Sequence, residues 1–249
     1  MRRTYERSDM QILPTCEIKG LGKLLRKIKE TWDRFPHIVK ATEKGIFGPS
    51  TTSVLTFMFE GMKGIAEKEN QSLEDLVFLD FGSGSGLVLA FALAYGIGTV
   101  VGIEYDRELY ELSKEYLAKT FKDDPRLILI NGDYLNPATY QHPIFSSKSF
   151  ENFIFYNYDD HNLKKLFPFW LDFFKGNGTF YCVTFFDYHA YRIANSLIQA
   201  TKEKNRYKIL THELDNEVLL VIKKERQKQM QRRYEKRKAK DHPSHAALH

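Results

Sequence analysis

Residues 76–104 constrain this chain more than any other stretch. An apolar run ends in an acid, Asp80, and passes directly into three glycines at alternate positions, Gly82, Gly84 and Gly86. A helix-like apolar stretch follows, and then a second apolar run that also ends in an acid, Glu104. A strand, a ligand-cradling turn, a helix and a second strand read this way when a nucleoside lies across the strand tips. Glycine lets the backbone approach a ligand that a Cβ would strike. A carboxylate at the second tip suits both hydroxyls of a ribose. The segment therefore points to an adenosine-containing cofactor.

The glycine spacing narrows the choice. Dinucleotide folds usually carry G-x-G-x-x-G, whose last glycine packs helix on strand while the helix N-terminus faces a pyrophosphate. Here the pattern is Asp-x-Gly-x-Gly-x-Gly, and Leu87 stands where that last glycine would be. An acid two residues ahead of the first glycine suits a cationic ligand better than a pyrophosphate. S-adenosylmethionine, with its sulfonium and ammonium, fits Asp80. With these residues the stretch resembles the first two motifs of the class I S-adenosylmethionine-dependent methyltransferases. Other nucleotide-binding Rossmann domains are the alternative.

The rest of the chain alternates as that fold requires. Strands are predicted at 76–81, 99–104, 126–131, 151–157 and 178–186, with helices at 87–96, 106–121, 161–174 and 188–203 between and after them. This is a doubly wound parallel α/β sheet. Two further strands, 206–214 and 217–223, separated by Asp215-Asn216, predict a C-terminal antiparallel hairpin. Ahead of the sheet, apolar residues at Leu21, Leu24, Leu25, Ile28, Trp32 and Phe35 predict an amphipathic helix over 21–35, with Lys23, Arg26, Lys27 and Lys29 on its other face. A second helix over 52–65 follows Pro49. The expected organisation is a small N-terminal helical segment with a cofactor-covering loop at 1–70, a methyltransferase domain at 71–223 and a basic tail at 224–249.

Composition excludes several classes. The two cysteines, Cys16 and Cys182, lie far apart without metal-type spacing, so neither a disulfide framework nor a zinc site is expected. No membrane span and no signal-peptide core are expected. Charge is more informative. Residues 223–240, Lys223 to Lys240, hold ten Lys or Arg against two acids, and residues 1–40 hold ten against five. The stretch between, 41–222, is net acidic at −7. Basic ends bracketing an acidic body suit a polyanion, most simply nucleic acid, held outside a catalytic pocket.

Two more strand tips carry candidate chemistry. The third predicted strand runs into Asn131-Gly132-Asp133-Tyr134, where the methyltransferase pattern has an acid for the adenine amino group and an aromatic beside the ring. An Asp-capped turn is the plainer alternative for Asp133. The fourth strand ends in Tyr156-Asn157-Tyr158-Asp159, where the acceptor and the transferred methyl should meet. This segment resembles the phenylalanine-valine-asparagine-asparagine motif of the disruptor-of-telomeric-silencing family, non-SET histone-lysine methyltransferases that act on nucleosomes. Asn157 falls on the motif's first asparagine. Phe47-Gly48-Pro49-Ser50 lies where that family has a loop folding over the methionine end of the cofactor. Three positions depart from the family pattern: Leu87, Tyr158 and Pro49 replace a glutamine, the second asparagine and the loop glutamate.

The resemblance implies a nuclear enzyme that transfers a methyl group to a lysine of a nucleosomal histone. Cofactor contacts then fall to Phe47, Ser50, Asp80, Gly82, Gly84, Gly86, Glu104, Asp133, Tyr134 and Asn157. Tyr156, Asn157 and Tyr158 would sit at the reacting centre, with Phe185 and Phe186 as further aromatic walls or, as the plainer alternative for these aromatics, core packing, and no metal is expected. His161 and His189 read as capping or surface residues. Two alternatives remain open at this point: an RNA or ribosomal methyltransferase, and a catalytically silent scaffold that binds the cofactor.

Overall fold

A computed structural model describes residues 20–34, 40–42, 45–47, 50–68, 70–146, 153–156, 180–186, 207–214 and 217–224, with a few helical positions between 192 and 199. The backbone forms a seven-stranded sheet preceded by two helices and a two-stranded ribbon. Helix α1 spans Leu21–Trp32 and α2 spans Thr52–Lys68. Between them lie β1, Lys40–Thr42, and β2, Gly45–Phe47, paired antiparallel. This ribbon has no counterpart in the sequence reading, since three residues per strand are too few to display a period of two.

The sheet itself begins with β3, Val77–Phe81, and continues through α3, Leu87–Ala94, to β4, Thr99–Glu104. Helix α4, Arg107–Phe121, leads to β5, Leu127–Asn131. Then come β6, Phe153–Tyr156, β7, Phe180–Phe186, β8, Tyr207–Leu214, and β9, Glu217–Lys224. Spatial order is β5-β4-β3-β6-β7-β9-β8. The first five of these are mutually parallel, and β9 runs antiparallel to both β7 and β8. Because β3 pairs with β4 on one side and β6 on the other, the strand order reverses at β3. A crevice opens beyond the strand ends at such a reversal, which is where open α/β sheets bind ligands.

Helix α3 explains the core. All eight of its residues are buried, so it is apolar all round and needs cover on every side. It packs against α1, α2 and α4 as well as β3 and β4. Phe59 of α2 supplies the centre, stacking near Phe91 and Tyr95 and tilted on Phe78 of β3. Tyr95 keeps its hydroxyl satisfied by donating to Glu60 at 2.9 Å. Ile28 and Trp32 bring α1 into the same cluster, so the N-terminal helix is part of the sheet's packing. Helix α4 starts at Asp106, whose carboxylate accepts from Leu109 N at 3.0 Å as an N-cap. No described helix is long and apolar enough to cross a membrane.

Several boundaries differ from the sequence reading. Helix α1 stops at Trp32, short of Phe35, where Arg34 N turns to the Thr31 carbonyl in an i→i−3 bond at 3.3 Å. Helix α2 runs three residues past 65, to Lys68. The predicted helix at 161–174 lies outside the described residues, as does most of that at 188–203.

Candidate active site

Two acids end adjacent strands, and the turn between them is held by backbone hydrogen bonds. Gly82 and Ser83 both donate to the Ile103 carbonyl, at 2.9 and 3.1 Å, which draws the turn after β3 onto the end of β4. Gly86 N then donates to Ser83 O at 2.8 Å and starts α3. Gly82, Gly84 and Gly86 all have positive φ, at 80°, 51° and 77°. Side chains rarely adopt this region, so the triplet is required by conformation as well as by space. From Leu76 to Tyr95 every residue is buried except Gly82, so the buried turn reaches the surface at that glycine.

The two carboxylates are bound differently. Glu104 is buried, and each of its oxygens accepts a backbone N–H: Oε2 from Gly84 at 2.7 Å and Oε1 from Asp106 at 2.8 Å. It therefore ties the middle of the glycine turn to the cap of α4. Burial raises its pKa, and the N–H groups of Asp106 and Gly84 pull it back. Asp80 is 1% exposed, and its Oδ2 has no hydrogen-bond partner among the described residues. Burial, reinforced by the charge on Glu104, pushes the Asp80 carboxyl well above the ordinary carboxylate range. Ser83 Oγ is likewise buried without a partner among the described residues. Such groups are rare in folded proteins and call for an explanation.

Sheet register brings the other candidates to the same edge. Asp80 stands opposite Gly102 on one side and Tyr156 on the other, so Tyr156 closes the row at the tip of β6. Glu104 stands opposite Asn131, whose Nδ2 donates to the Glu104 carbonyl at 2.8 Å. Asp133 follows two residues on and uses Oδ1 to accept from Leu135 N at 2.9 Å, closing an Asx turn. The ring of Tyr134 meets Phe81 edge-on at 5.8 Å, and its Cε1 lies 3.8 Å from where a Cβ on Gly82 would be. Tyr134 thus borders the point where the turn opens. Phe47 ends β2, and Ser50 lies half-buried two residues before α2. Asn157 and Tyr158 lie outside the described residues, as do His161 and His189.

Three positions escaped the sequence reading as site residues. Trp32 was assigned only to a core face, yet its indole N–H donates to the Ser85 carbonyl at 3.1 Å, inside the glycine turn. Its signal was available in principle, since a buried indole generally needs an acceptor. Gly102 has no role in the sequence reading. A Cβ there would fall 2.5 Å from Leu89 Cδ1 and 2.9 Å from Ser83 Oγ, so the glycine makes room for the turn. Ser83 is the third.

No protein-family model matches the sequence, and no curated protein matches it. Solved structures do. Human methyltransferase 10 domain containing protein is similar with a TM-score of 0.53 at 8% identity, over 84% of this chain and 99% of that one. Precorrin-6y C5,15-methyltransferase from Geobacter metallireducens is similar with a TM-score of 0.52 at 13% identity, over 78% and 95%. The fold is that of the class I methyltransferases. An RNA methyltransferase from Salinibacter ruber, solved with S-adenosyl-L-homocysteine, is also similar, with a TM-score of 0.45 at 17% identity over 71% and 94%. In this fold the reversal at β3 puts Asp80, the glycine turn, Glu104 and Tyr156 on one edge of the sheet.

Proposed function

We propose that this chain is an S-adenosylmethionine-dependent methyltransferase whose acceptor is RNA. The observation that carries the cofactor assignment is the pair of strand-tip carboxylates around one glycine turn. Asp80 keeps a buried oxygen without a partner among the described residues, and Glu104 is fixed beside it. A dinucleotide pyrophosphate at the turn would add negative charge beside Asp80 and Glu104, whose ionisation burial already opposes. A cationic nucleoside suits them, and the residues present fit S-adenosylmethionine. Asp80 would oppose its positive end, Glu104 would accept from the ribose hydroxyls through its remaining lone pairs, and Tyr134 would pack on the base.

When bound, S-adenosylmethionine supplies a methyl group on a sulfonium, open to in-line displacement. The chain's own work is orientation and exclusion of water, since no strong acid or base is needed for the displacement itself. The glycine turn, pinned by Glu104 and Trp32, provides a rigid cradle. Ionisation of Asp80 becomes favourable once a cation stands beside it, which reverses the effect of its burial.

RNA is favoured as acceptor because it asks only for a basic grip outside the pocket. The segment Lys223 to Lys240, net +8, offers one. The second reading, a nuclear histone-lysine methyltransferase acting on nucleosomes, is favoured by Asn157 and by the same basic segment. It requires more of this chain: a channel that strips the proton from an amine of pKa about 10.4, with Tyr156, Tyr158, Phe185 and Phe186 as walls. It must also accommodate Leu87, Tyr158 and Pro49 in place of the family's residues. Incubation with methyl-labelled cofactor and, in parallel, total RNA, nucleosomes and free histones separates the readings. Label on RNA is the expected result. Label on nucleosomal histone alone transfers the assignment to the second reading. Measurable cofactor binding with no label on any acceptor would make the chain a silent scaffold.

A further inference from the structure

Among the described residues, the outer face of α1 carries a concentration of positive charge that the methyl-transfer chemistry leaves unused. Lys23, Arg26, Lys27 and Lys29 are all exposed there, against one acid of the helix, Glu30. Exposed helices commonly neutralise such charge internally, and α4 does so: Lys114 pairs with Glu111 at 3.3 Å and Lys119 with Glu115 at 2.6 Å. Helix α1 does not. Lys27 reaches the Thr120 carbonyl at 3.1 Å, whereas Lys23, Arg26 and Lys29 make no hydrogen bond or ion pair among the described residues. From Lys23 to Lys29 the face extends about 9 Å, a length suited to a run of phosphates rather than to one small anion.

The inner face of the same helix is anchored. Ile28 and Trp32 are buried, and Trp32 Nε1 holds the Ser85 carbonyl of the glycine turn. Past the helix end, Tyr116 OH donates to the Arg34 carbonyl at 3.0 Å. The cationic face therefore stands at a fixed position relative to the turn between Asp80 and Glu104.

We propose that the outer face of α1, through Lys23, Arg26 and Lys29, binds the phosphate backbone of the RNA acceptor beside the cofactor turn. This rests on the methyltransferase reading above and adds a named docking surface to it. Ammonium and guanidinium groups serve phosphate without reading sequence, so the face would set position and leave base choice to the pocket.

The test uses the full chain with Lys23→Gln, Arg26→Gln and Lys29→Gln combined, and a second variant with all three changed to Glu. Binding to a labelled single-stranded RNA and to duplex DNA is followed by anisotropy across a salt series. S-adenosylmethionine affinity and helix content are measured on the same samples. The expected result is RNA affinity lowered by about tenfold at moderate salt, with the slope of log K against log salt reduced by about 2, at roughly 0.7 per lost contact. The Glu variant should bind more weakly still, while cofactor affinity stays within twofold. Loss on RNA with duplex DNA less affected supports the proposal, and a loss on DNA alone would overturn it. Unchanged RNA and DNA affinities and salt slopes, with helix content intact, would overturn the proposal. A wild-type chain that loses RNA binding on these substitutions yet never binds S-adenosylmethionine would sink the methyltransferase reading and leave the docking face standing.

Discussion

At the tip of β3, Asp80 is buried with one oxygen lacking a partner among the described residues; at the tip of β4, Glu104 is buried with both oxygens engaged. The two acids have similar burial and sit on neighbouring strands, so the difference lies in what the backbone does around them. Glu104 receives the N–H groups of Gly84 and Asp106 and thereby shapes the turn. Asp80 Oδ2 receives no such help among the described residues, and an unpartnered buried polar group is destabilising. One carboxylate builds the turn, and the other is the one that the proposed function assigns to a cation. Perturbed ionisation of this kind concentrates at functional sites.

Four substitutions probe that contrast, beginning with the largest effect. Glu104→Ala removes the acceptor for one buried and one part-buried N–H group and the proposed ribose contact together. Cofactor affinity should fall more than about a hundredfold and unfolding stability by about 2–3 kcal/mol, read by titration calorimetry and denaturant unfolding. If stability fell and affinity did not, Glu104 would be a brace alone.

Asp80→Asn should act in opposite directions on the two properties. Affinity for S-adenosylmethionine should drop about 10- to 100-fold, in line with losing a charged hydrogen bond of about 1.5–3 kcal/mol. The ligand-free protein should meanwhile become more stable than wild type near neutrality. The sign follows from the raised Asp80 pKa. Its stability contribution is fully present below the ordinary carboxylate value of about 4 and is lost as pH rises through the raised folded value. The melting-temperature gap between variant and wild type should therefore widen from acid to neutral pH. A gap that stays flat would contradict the electrostatic account of Asp80.

Gly102→Ala is a steric version of the same experiment, because Gly102 is the register partner of Asp80. The new Cβ would press on Leu89 Cδ1 and Ser83 Oγ. A loss of about 1–3 kcal/mol is expected in thermal unfolding, with weaker cofactor binding as the turn shifts. The smallest effect belongs to Trp32→Phe, which deletes one buried hydrogen bond to Ser85 and keeps an aromatic ring. About 1 kcal/mol should be lost, and a change in cofactor affinity larger than that in stability would mark Trp32 as positioning the turn.

What the sequence displayed in advance follows from locality. The β3 turn and both acid tips were legible because an apolar run ending in an acid, followed by alternate glycines, is written within a few residues. So was the parallel alternation, since each strand's apolar run carries its own length. The Trp32–Ser85 bond joins residues 53 apart in sequence, and no periodicity announces such a pair. The same holds for Glu104, where the carboxylate was legible and its grip on Gly84 was not. Asp133 lies between these cases: its Asx turn is local and was foreseen as the plainer alternative, while a contact to adenine would depend on a ligand.

The most direct measurement of the central claim is titration of S-adenosylmethionine into wild type and Asp80→Asn at neutral pH, with ligand-free melting recorded for both. Saturable one-site binding to wild type is predicted, with affinity at least tenfold weaker in a variant that melts higher. Equal affinities, or no binding by a folded wild-type chain, would contradict the assignment of the β3 and β4 tips as a cationic nucleoside site.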